Sequence, residues 1–280
     1  MPFERMRLAA AAALVLFSAS TQAVVRGGVQ VIPLPDGATR ARYQDRPVLV
    51  VEQPKPTAII GIALDAVVGP HVLVVELAER GRTEIPFKVT DKAYPVQRIT
   101  LADDKMVNPP PDELARIERE AILQNEQYDR FSPVAASPFP MRLPAVGPVS
   151  SNFGLRRILN GQPRNPHAGL DIAAPTGAPV MAPAAGTISF AGPLYFNGNA
   201  IFVDHGGGLI SMVCHLSKIE VQQGNAVRKG QRIGLVGATG RATGPHLHWS
   251  VSLNGARVDP SAVLALYQPK PKPKPAKPSQ

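Results

Sequence analysis

Only one cysteine, Cys214, occurs in the 280 residues. An intramolecular disulfide framework and a cysteine-rich metal site are both excluded. Aromatic residues make up just 5% of the chain. Past the first two dozen positions no uncharged apolar run approaches the roughly 20 residues of a membrane helix, so a polytopic membrane protein is excluded as well. Charged residues are modest at 18%, against 44% hydrophobic, a balance too apolar for a wholly disordered chain. Acidic residues are the scarcer sign: 21 Asp and Glu face 30 Lys and Arg, a formal charge of +9. That excess favours acidic partners such as nucleic acid, anionic lipid or a bacterial wall polymer. What the chain has in quantity is 30 prolines and 24 glycines, which point to many short strands and turns rather than helical bundles.

Arg5 and Arg7 precede the apolar stretch Leu8 to Phe17, and Thr21-Gln-Ala23 offers a small-x-small cleavage pattern. An apolar segment of about 10 residues suits a secretory signal and is short for a membrane span. Residues 1–23 are therefore expected to be a signal peptide, with membrane contact only if the signal is retained. Export removes nucleic acid from the acidic partners.

Residues 24–105 hold β-prone runs at 29–32, 47–51, 58–62, 71–75, 85–89 and 97–101, separated by Pro, Gly and Asp turns. That spacing predicts a small β-sandwich. His71, its only histidine, is expected at a strand start and not in a site. Residues 106–148 read as a connector. Prolines 109–111 with Asp112 and Glu113 open a helix running to about Arg130, whose narrow apolar stripe is Leu114, Ile117, Ala121 and Ile122. A proline-rich stretch, stiff and extended, follows from Phe131 to Pro148. The Lys/Pro alternation of residues 267–280 cannot build a core and is expected to be a solvated, disordered tail.

Chemistry concentrates between Val149 and Pro260, where five of the six histidines lie. In Gly244-Pro-His-Leu-His-Trp-Ser-Val251 two histidines are spaced by one residue in a β-prone run, so His246 and His248 project from one face. In Pro166-His-Ala-Gly-Leu-Asp-Ile172 a histidine precedes an aspartate by four positions, with His167 expected in a loop and Asp171 at a strand start. Imidazoles on one face plus a separate His and Asp are what a nitrogen–oxygen zinc site requires, and a catalytic site keeps a fourth position for water. Cys214 neighbours His215 in a strand-like run and points to the opposite face, which argues against a Cys–His nucleophilic pair. His205, before three turn glycines, is expected to be structural.

Residues 149–260 resemble the LytM/lysostaphin-type zinc metallopeptidases that cut peptidoglycan peptides. The resemblance runs through Val149-Ser-Ser-Asn-Phe-Gly-Leu-Arg-Arg157, His167-Ala-Gly-Leu-Asp-Ile-Ala-Ala-Pro175, Asp204-His-Gly-Gly-Gly-Leu-Ile-Ser211, Cys214-His-Leu-Ser217 and Val236-Gly-Ala-Thr-Gly-Arg-Ala-Thr-Gly-Pro-His-Leu-His-Trp249. The β-rich region ahead of it resembles the N-terminal domain of exported relatives. The resemblance implies His167, Asp171 and His248 as ligands of one Zn2+ per chain, and His215 and His246 as catalytic histidines. It also implies a mainly β molecule: an N-terminal β-sandwich, a connecting helix and a compact antiparallel β metallopeptidase domain over residues 149–266. One departure is Val213, where relatives commonly carry an aromatic residue.

The implied function is a zinc metalloendopeptidase acting on peptidoglycan cross-links or stem peptides, with D-Ala–diaminopimelate the expected bond. The implied location is a Gram-negative periplasm, with regulatory envelope proteins as possible partners. Two alternatives stay open: a non-catalytic activator of wall amidases with the same fold, and a passive wall-binding protein using its basic charge. A further expectation is that residues 24–130 partly occlude the groove, the alternative being a spacer or partner-binding region.

Overall fold

A computed structural model describes residues 23–52, 55–79 and 81–268. The expected signal peptide, up to residue 22, and the Lys/Pro tail from residue 269 lie outside the described residues. Among the described residues no helix is long and apolar enough to cross a membrane.

The molecule is mainly β. Nine strands come first: β1 (Ala23–Val25), β2 (Val29–Pro33), β3 (Ala38–Tyr43), β4 (Arg46–Pro47), β5 (Leu49–Val51), β6 (Thr57–Gly61), β7 (Gly69–Leu77), β8 (Gly81–Thr90) and β9 (Val96–Ile99). The order β1-β8-β7-β3-β4 makes one sheet and β2-β6-β5 a second. They enclose a core that includes Ile32, Tyr43, Ile60, Leu73 and Phe87. Sequence periodicity anticipated most of these strands but not β3, whose Ala-Thr-Arg-Ala-Arg-Tyr carries only Ala41 and Tyr43 inward. His71 lies in β7, where its Nε2–H donates to the Val67 carbonyl and its Nδ1 accepts from the Tyr43 hydroxyl at 2.8 Å.

The last β-prone run does not join the sandwich. β9 pairs in parallel with Arg156–Leu159 of the C-terminal half. The two halves also share one apolar core, because strand alternation turns every second residue of the small sheet outward. In β6, Ala58 and Ile60 face the sandwich core. Ile59 of the same strand, with Leu49 and Val51, packs in the core of the C-terminal half. Gly61 completes this face, since a Cβ there would meet Leu253 O at 2.7 Å.

Helix α1 (Pro111–Tyr128) begins with prolines at its N-cap and first position, and with Asp112 and Glu113 in its first turn. Its docked face differs from the expected stripe. Leu114 and Ile122 are exposed, whereas Leu123 and Tyr128 pack on Leu194, Phe202 and Cys214. Glu120 decides the rotation, accepting the Tyr195 backbone N–H at 2.6 Å. The proline-rich stretch is no free spacer: Pro144 and Pro148 carbonyls accept N–H groups of Met181 and Ala173, and Met141 and Ala145 are buried in the core.

The C-terminal half contains β10 (Val149–Ser151), β11 (Arg156–Leu159), β12 (Gln162–Pro163), β13 (Leu170–Ile172), β14 (Pro179–Met181), β15 (Gly186–Leu194) and β16 (Gly198–Asp204). β17 (Ile210–Ile219), β18 (Ala226–Val227), β19 (Arg232–Val236), β20 (Leu247–Leu253), β21 (Ala256–Val258) and α2 (Pro260–Leu264) follow. Ten of these strands form one sheet, ordered β10-β13-β20-β17-β16-β15-β18 with β14, β19 and β21 attached. β20 shows the alternation well: Leu247, Trp249, Val251 and Leu253 enter the core, leaving His248, Ser250 and Ser252 on the other face.

The β20–β21 turn is Asn254-Gly255, with φ of 44° and 81°, as a two-residue hairpin requires. Asn254 then clasps the two halves. Its Oδ1 accepts Gly61 N–H at 2.7 Å and its Nδ2 donates to Gly61 O at 3.1 Å. Asn254→Gly keeps the turn and leaves both buried Gly61 groups unpaired, so unfolding free energy should drop by ~1–3 kcal/mol. Urea unfolding followed by circular dichroism measures it, and an unchanged midpoint would show that the clasp contributes nothing.

Candidate metal centre and cleft

Register brings the first two site residues together. β13 runs antiparallel to β20 with Asp171 directly opposite His248 and Leu170 opposite Trp249. Cross-strand partners have Cβ atoms about 5 Å apart, within reach of one another's polar atoms. His167 comes from the loop before β13 and folds over this pair. Gly169 makes room for the arrangement: a Cβ there would lie 2.6 Å from the His248 ring and from Trp249 O.

The result is a tight triangle. Asp171 Oδ1 is 3.0 Å from His167 Nε2 and 2.7 Å from His248 Nδ1, and the two nitrogens are 3.0 Å apart. All three residues are buried. The outer ring atoms determine the tautomers. His167 Nδ1 faces the Asn152 carbonyl at 2.7 Å, which can only accept, so this nitrogen carries the proton. Ser250 Oγ donates to Ala168 O at 2.7 Å, so it accepts from His248 Nε2 at 2.9 Å. With a proton fixed on its outer nitrogen, each ring turns the lone pair of its inner nitrogen toward a carboxylate oxygen. Three acceptors with no proton among them call for a cation, and this group can hold a metal ion. Two imidazoles and a carboxylate are borderline donors suited to zinc.

Electrostatics agree with that use. Burial, opposed by Asp171, pushes the His248 imidazole down to about 4, leaving it neutral at pH 7. Burial alone would raise the Asp171 carboxyl, but N–H donation and positive charge at His167 and His248, the role that a bound cation would take over, more than reverse this and hold it well below the usual carboxylate range. Arg157 adds a guanidinium Nη2 3.4 Å from Asp171 Oδ2.

His215 and His246 stand beside the triangle. Their rings are 4.8 Å apart by centroid, and His215 is 6.0 Å from His248. His215 sits at an irregularity of β17, where pairing with β16 slips from Ile201–Val213 to Asn199–Leu216. Its φ is 65°, the left-handed region that a histidine enters at a cost. Such bulges re-aim a side chain. Here Val213 stays in the core and Cys214 turns toward α1, while the His215 ring lines the cleft. His215 Nδ1–H donates to Thr239 O and His246 Nδ1–H to Gly244 O, both at 2.8 Å. Each ring is thus anchored through Nδ1 and has Nε2 as its other nitrogen. His246 Nε2 lies 4.0 Å from Asp171 Oδ1. Burial first, then the charge of His248 and His246, pushes His215 down to about 3.

All five residues expected in the site come together: Asp171, His215 and His246 line a cleft of about 310 Å³, and His167 and His248 complete the candidate metal-binding group on Asp171. Among the described residues of 24–130, Gln97, Ile99 and Leu101 line it. They come from β9 and the residues just after it, outside the sandwich, and supply one wall. His205 is elsewhere, its ring bonded to Ala185 O and Ser211 Oγ and pushed down to about 4 by burial. Cys214 is fully buried, its thiol pushed up to about 12 by burial. Sequence reading did not single out Arg157, Ser250 or Gly169. Ser250 was findable, two residues beyond His248 on the same strand face. Arg157 carried no such signal, because its partner comes from a different strand.

Removing the Ser250 acceptor frees the His248 tautomer. Ser250→Ala should therefore weaken zinc binding by about 10- to 100-fold, read by competition with a chromogenic chelator. Unchanged affinity would show that the Nε2–H contact does not orient the ring.

Comparison with known proteins now has a structural basis. The profile described as Peptidase family M23 matches residues 165–260, and that described as Peptidase family M23 N-terminal domain matches residues 22–92. A crystal structure described as an M23 peptidase from Pseudomonas aeruginosa is 45% identical, with a TM-score of 0.72, covering 86% of this chain and 94% of that one. The DD-carboxypeptidase/endopeptidase Mpg of Neisseria meningitidis is 45% identical over 115 residues, 41% of this chain and 26% of that protein. The peptidoglycan DD-endopeptidase ShyC of Vibrio cholerae is 40% identical over 117 residues, 41% of this chain and 27% of its own. The match thus spans about a quarter of the length of these curated relatives. Agreement at both ends of the sequence, and with one structure over nearly its full length, means that this chain belongs to peptidase family M23.

Proposed function

We propose that the chain is a zinc-dependent endopeptidase that hydrolyses peptide bonds of peptidoglycan cross-links or stem peptides in the cell envelope. The observation that carries this reading is the convergence of three unprotonated donors and two free imidazole bases in one cleft. The relatives named DD-carboxypeptidase/endopeptidase and peptidoglycan DD-endopeptidase support the substrate class, and within it we take the D-Ala–diaminopimelate cross-link as the bond cut. In the same reading residues 1–23 direct export to a Gram-negative periplasm and residues 149–266 form the peptidase unit. Residues 24–105 and 106–148 are the sandwich and connector, and regulatory envelope proteins act on the whole.

His167 through Nε2, Asp171 through Oδ1 and His248 through Nδ1 would hold the one zinc, the family's metal. Bound there, zinc supplies Lewis acidity, making water a nucleophile near neutral pH and polarising the scissile carbonyl. His246 takes the proton of the attacking water at Nε2, where the resulting imidazolium faces the Asp171 carboxylate. The same nitrogen returns the proton to the leaving amine. His215, held by Thr239 O, presents a second Nε2 that orients the water toward the carbonyl carbon.

The experiment is digestion of purified sacculi by the zinc-loaded chain, with products identified by mass. Cross-linked dimers should fall to monomers. His246→Ala and His215→Ala should keep stoichiometric zinc yet lose about 10²- to 10⁴-fold in rate, the range of general acid–base groups. Asp171→Ala should lose both zinc and hydrolysis. Zinc lost from the His246 variant but kept by the His248→Ala variant would reverse the assignment of the strand pair. Intact sacculi after digestion with zinc-loaded protein would leave a binding or activating role.

A further inference from the structure

Arg241 is a half-buried cation with no acid beside it. It lies in the loop leading to His246 and lines the same cleft as Asp171, His215 and His246. Its guanidinium stacks on the Phe196 ring at 4.3 Å and gives one Nη1–H to the Met106 carbonyl at 3.3 Å. Stacking of this kind holds the planar group in one orientation. Among the described residues the charges that act on it are positive: burial and then Arg157 and Arg164 push its pKa down to about 10. Arg164 is turned away, its Nη2 bonded to Gln162 Oε1 and Val107 O. Arg157 faces the cleft, and its Nε is buried without a partner.

Half-buried cations of one sign disfavour one another and want a counter-charge. Among the described residues the one carboxylate lining the cleft is Asp171, whose Oδ1 belongs to the metal triangle and whose Oδ2 already faces Arg157 Nη2 at 3.4 Å, which leaves Arg241 with none. The missing anion must then come from outside. A guanidinium fork matches a planar carboxylate through paired N–H groups. We propose that Arg241 and Arg157 form a carboxylate-binding subsite, which takes a free carboxylate of the peptide beside the scissile bond. The identity of that peptide rests on the endopeptidase reading above. On the same cleft wall, Gln97 Oε1 is buried without a donor and can accept an N–H of the same residue.

The test compares a cross-linked muropeptide carrying free carboxyls with two analogues, one amidated at diaminopimelate and one at the C-terminal carboxyl. The zinc-loaded full chain should prefer the free form over one analogue by about tenfold or more in kcat/KM, the effect of a charge-assisted pair. The analogue that loses activity identifies which carboxylate docks. Arg241→Gln should collapse that preference to near unity, chiefly through KM, and Arg241→Lys should restore part of it. A merely structural arginine would lower all three substrates together, leaving the ratio unchanged, and this result would overturn the subsite. Calorimetric binding of the same peptides separates the two readings. If the carboxylate form binds preferentially, Arg241→Gln abolishes the preference and no peptide is cleaved, the subsite stands and the endopeptidase reading falls. Equal cleavage of all three peptides by the parent chain would leave the endopeptidase reading and remove the subsite.

Discussion

Three lone pairs held within about 3 Å of each other repel unless a cation lies among them, and much of this molecule serves to hold them there. Asp171 and His248 are fixed by strand register, a hydrogen-bonded frame that no single side chain can adjust. His167 is tied back by the Asn152 carbonyl and His248 by Ser250. Beneath them the apolar face of β20, from Leu247 to Leu253, is locked in the core. A close-packed core deforms little, so the donors stay poised for a metal instead of relaxing apart. Neutral, outward-protonated imidazoles complete the design, since a proton on either inner nitrogen would compete with the ion.

The N-terminal half takes part in that rigidity. Its small sheet is apolar on both faces, one buried in the sandwich and one in the peptidase core. Each buried Leu, Ile or Val side chain across this junction is worth ~1.5–3 kcal/mol relative to exposure, and Asn254 adds a polar lock at Gly61. The proline-rich stretch extends the same logic, bonding along the peptidase half instead of bridging open solvent. β9 and the residues just after it then lay Gln97, Ile99 and Leu101 along the cleft. A region that contributes no candidate metal ligand thus shapes the space beside the candidate metal site.

The cleft also concentrates unrelieved charge and strain. His215 adopts a left-handed backbone at a strand irregularity, and the detour is what turns its ring out of the Val213–Leu216 alternation. Arg157 and Arg241 remain without matching acids apart from Asp171. Both features oppose stability locally, and both sit where a substrate would be held. Strain and unpaired charge gathered at one place are the mark of a site, since the rest of the fold supplies the stability that they give up.

From the sequence alone, local rules determined a good deal. Period-two alternation placed His246 and His248 on one face, because a strand leaves each residue only two directions; it misplaced Cys214, which lies opposite His248 on that same sheet face, while the irregularity of β17 turns His215 out of the alternation. Proline and acidic residues marked the start of α1, and the spacing of apolar runs announced the sandwich. Motifs resembling a known peptidase type picked out the five site residues. Tertiary structure alone decided what depends on partners distant in the chain. The last β-prone run pairs with β11 and leaves the sandwich, because a strand's edge does not reveal its neighbour. α1 turns Leu123 and Tyr128 inward and exposes Leu114 and Ile122, because Glu120 bonds a backbone N–H 75 positions away. Arg157 and Arg241 read as ordinary surface charges until folding brings them into one cleft where, among the described residues, Asp171 is the one carboxylate. Hydrophobic periodicity records which face of an element is buried; it does not record against what, and the electrostatics of the site depend on the second fact.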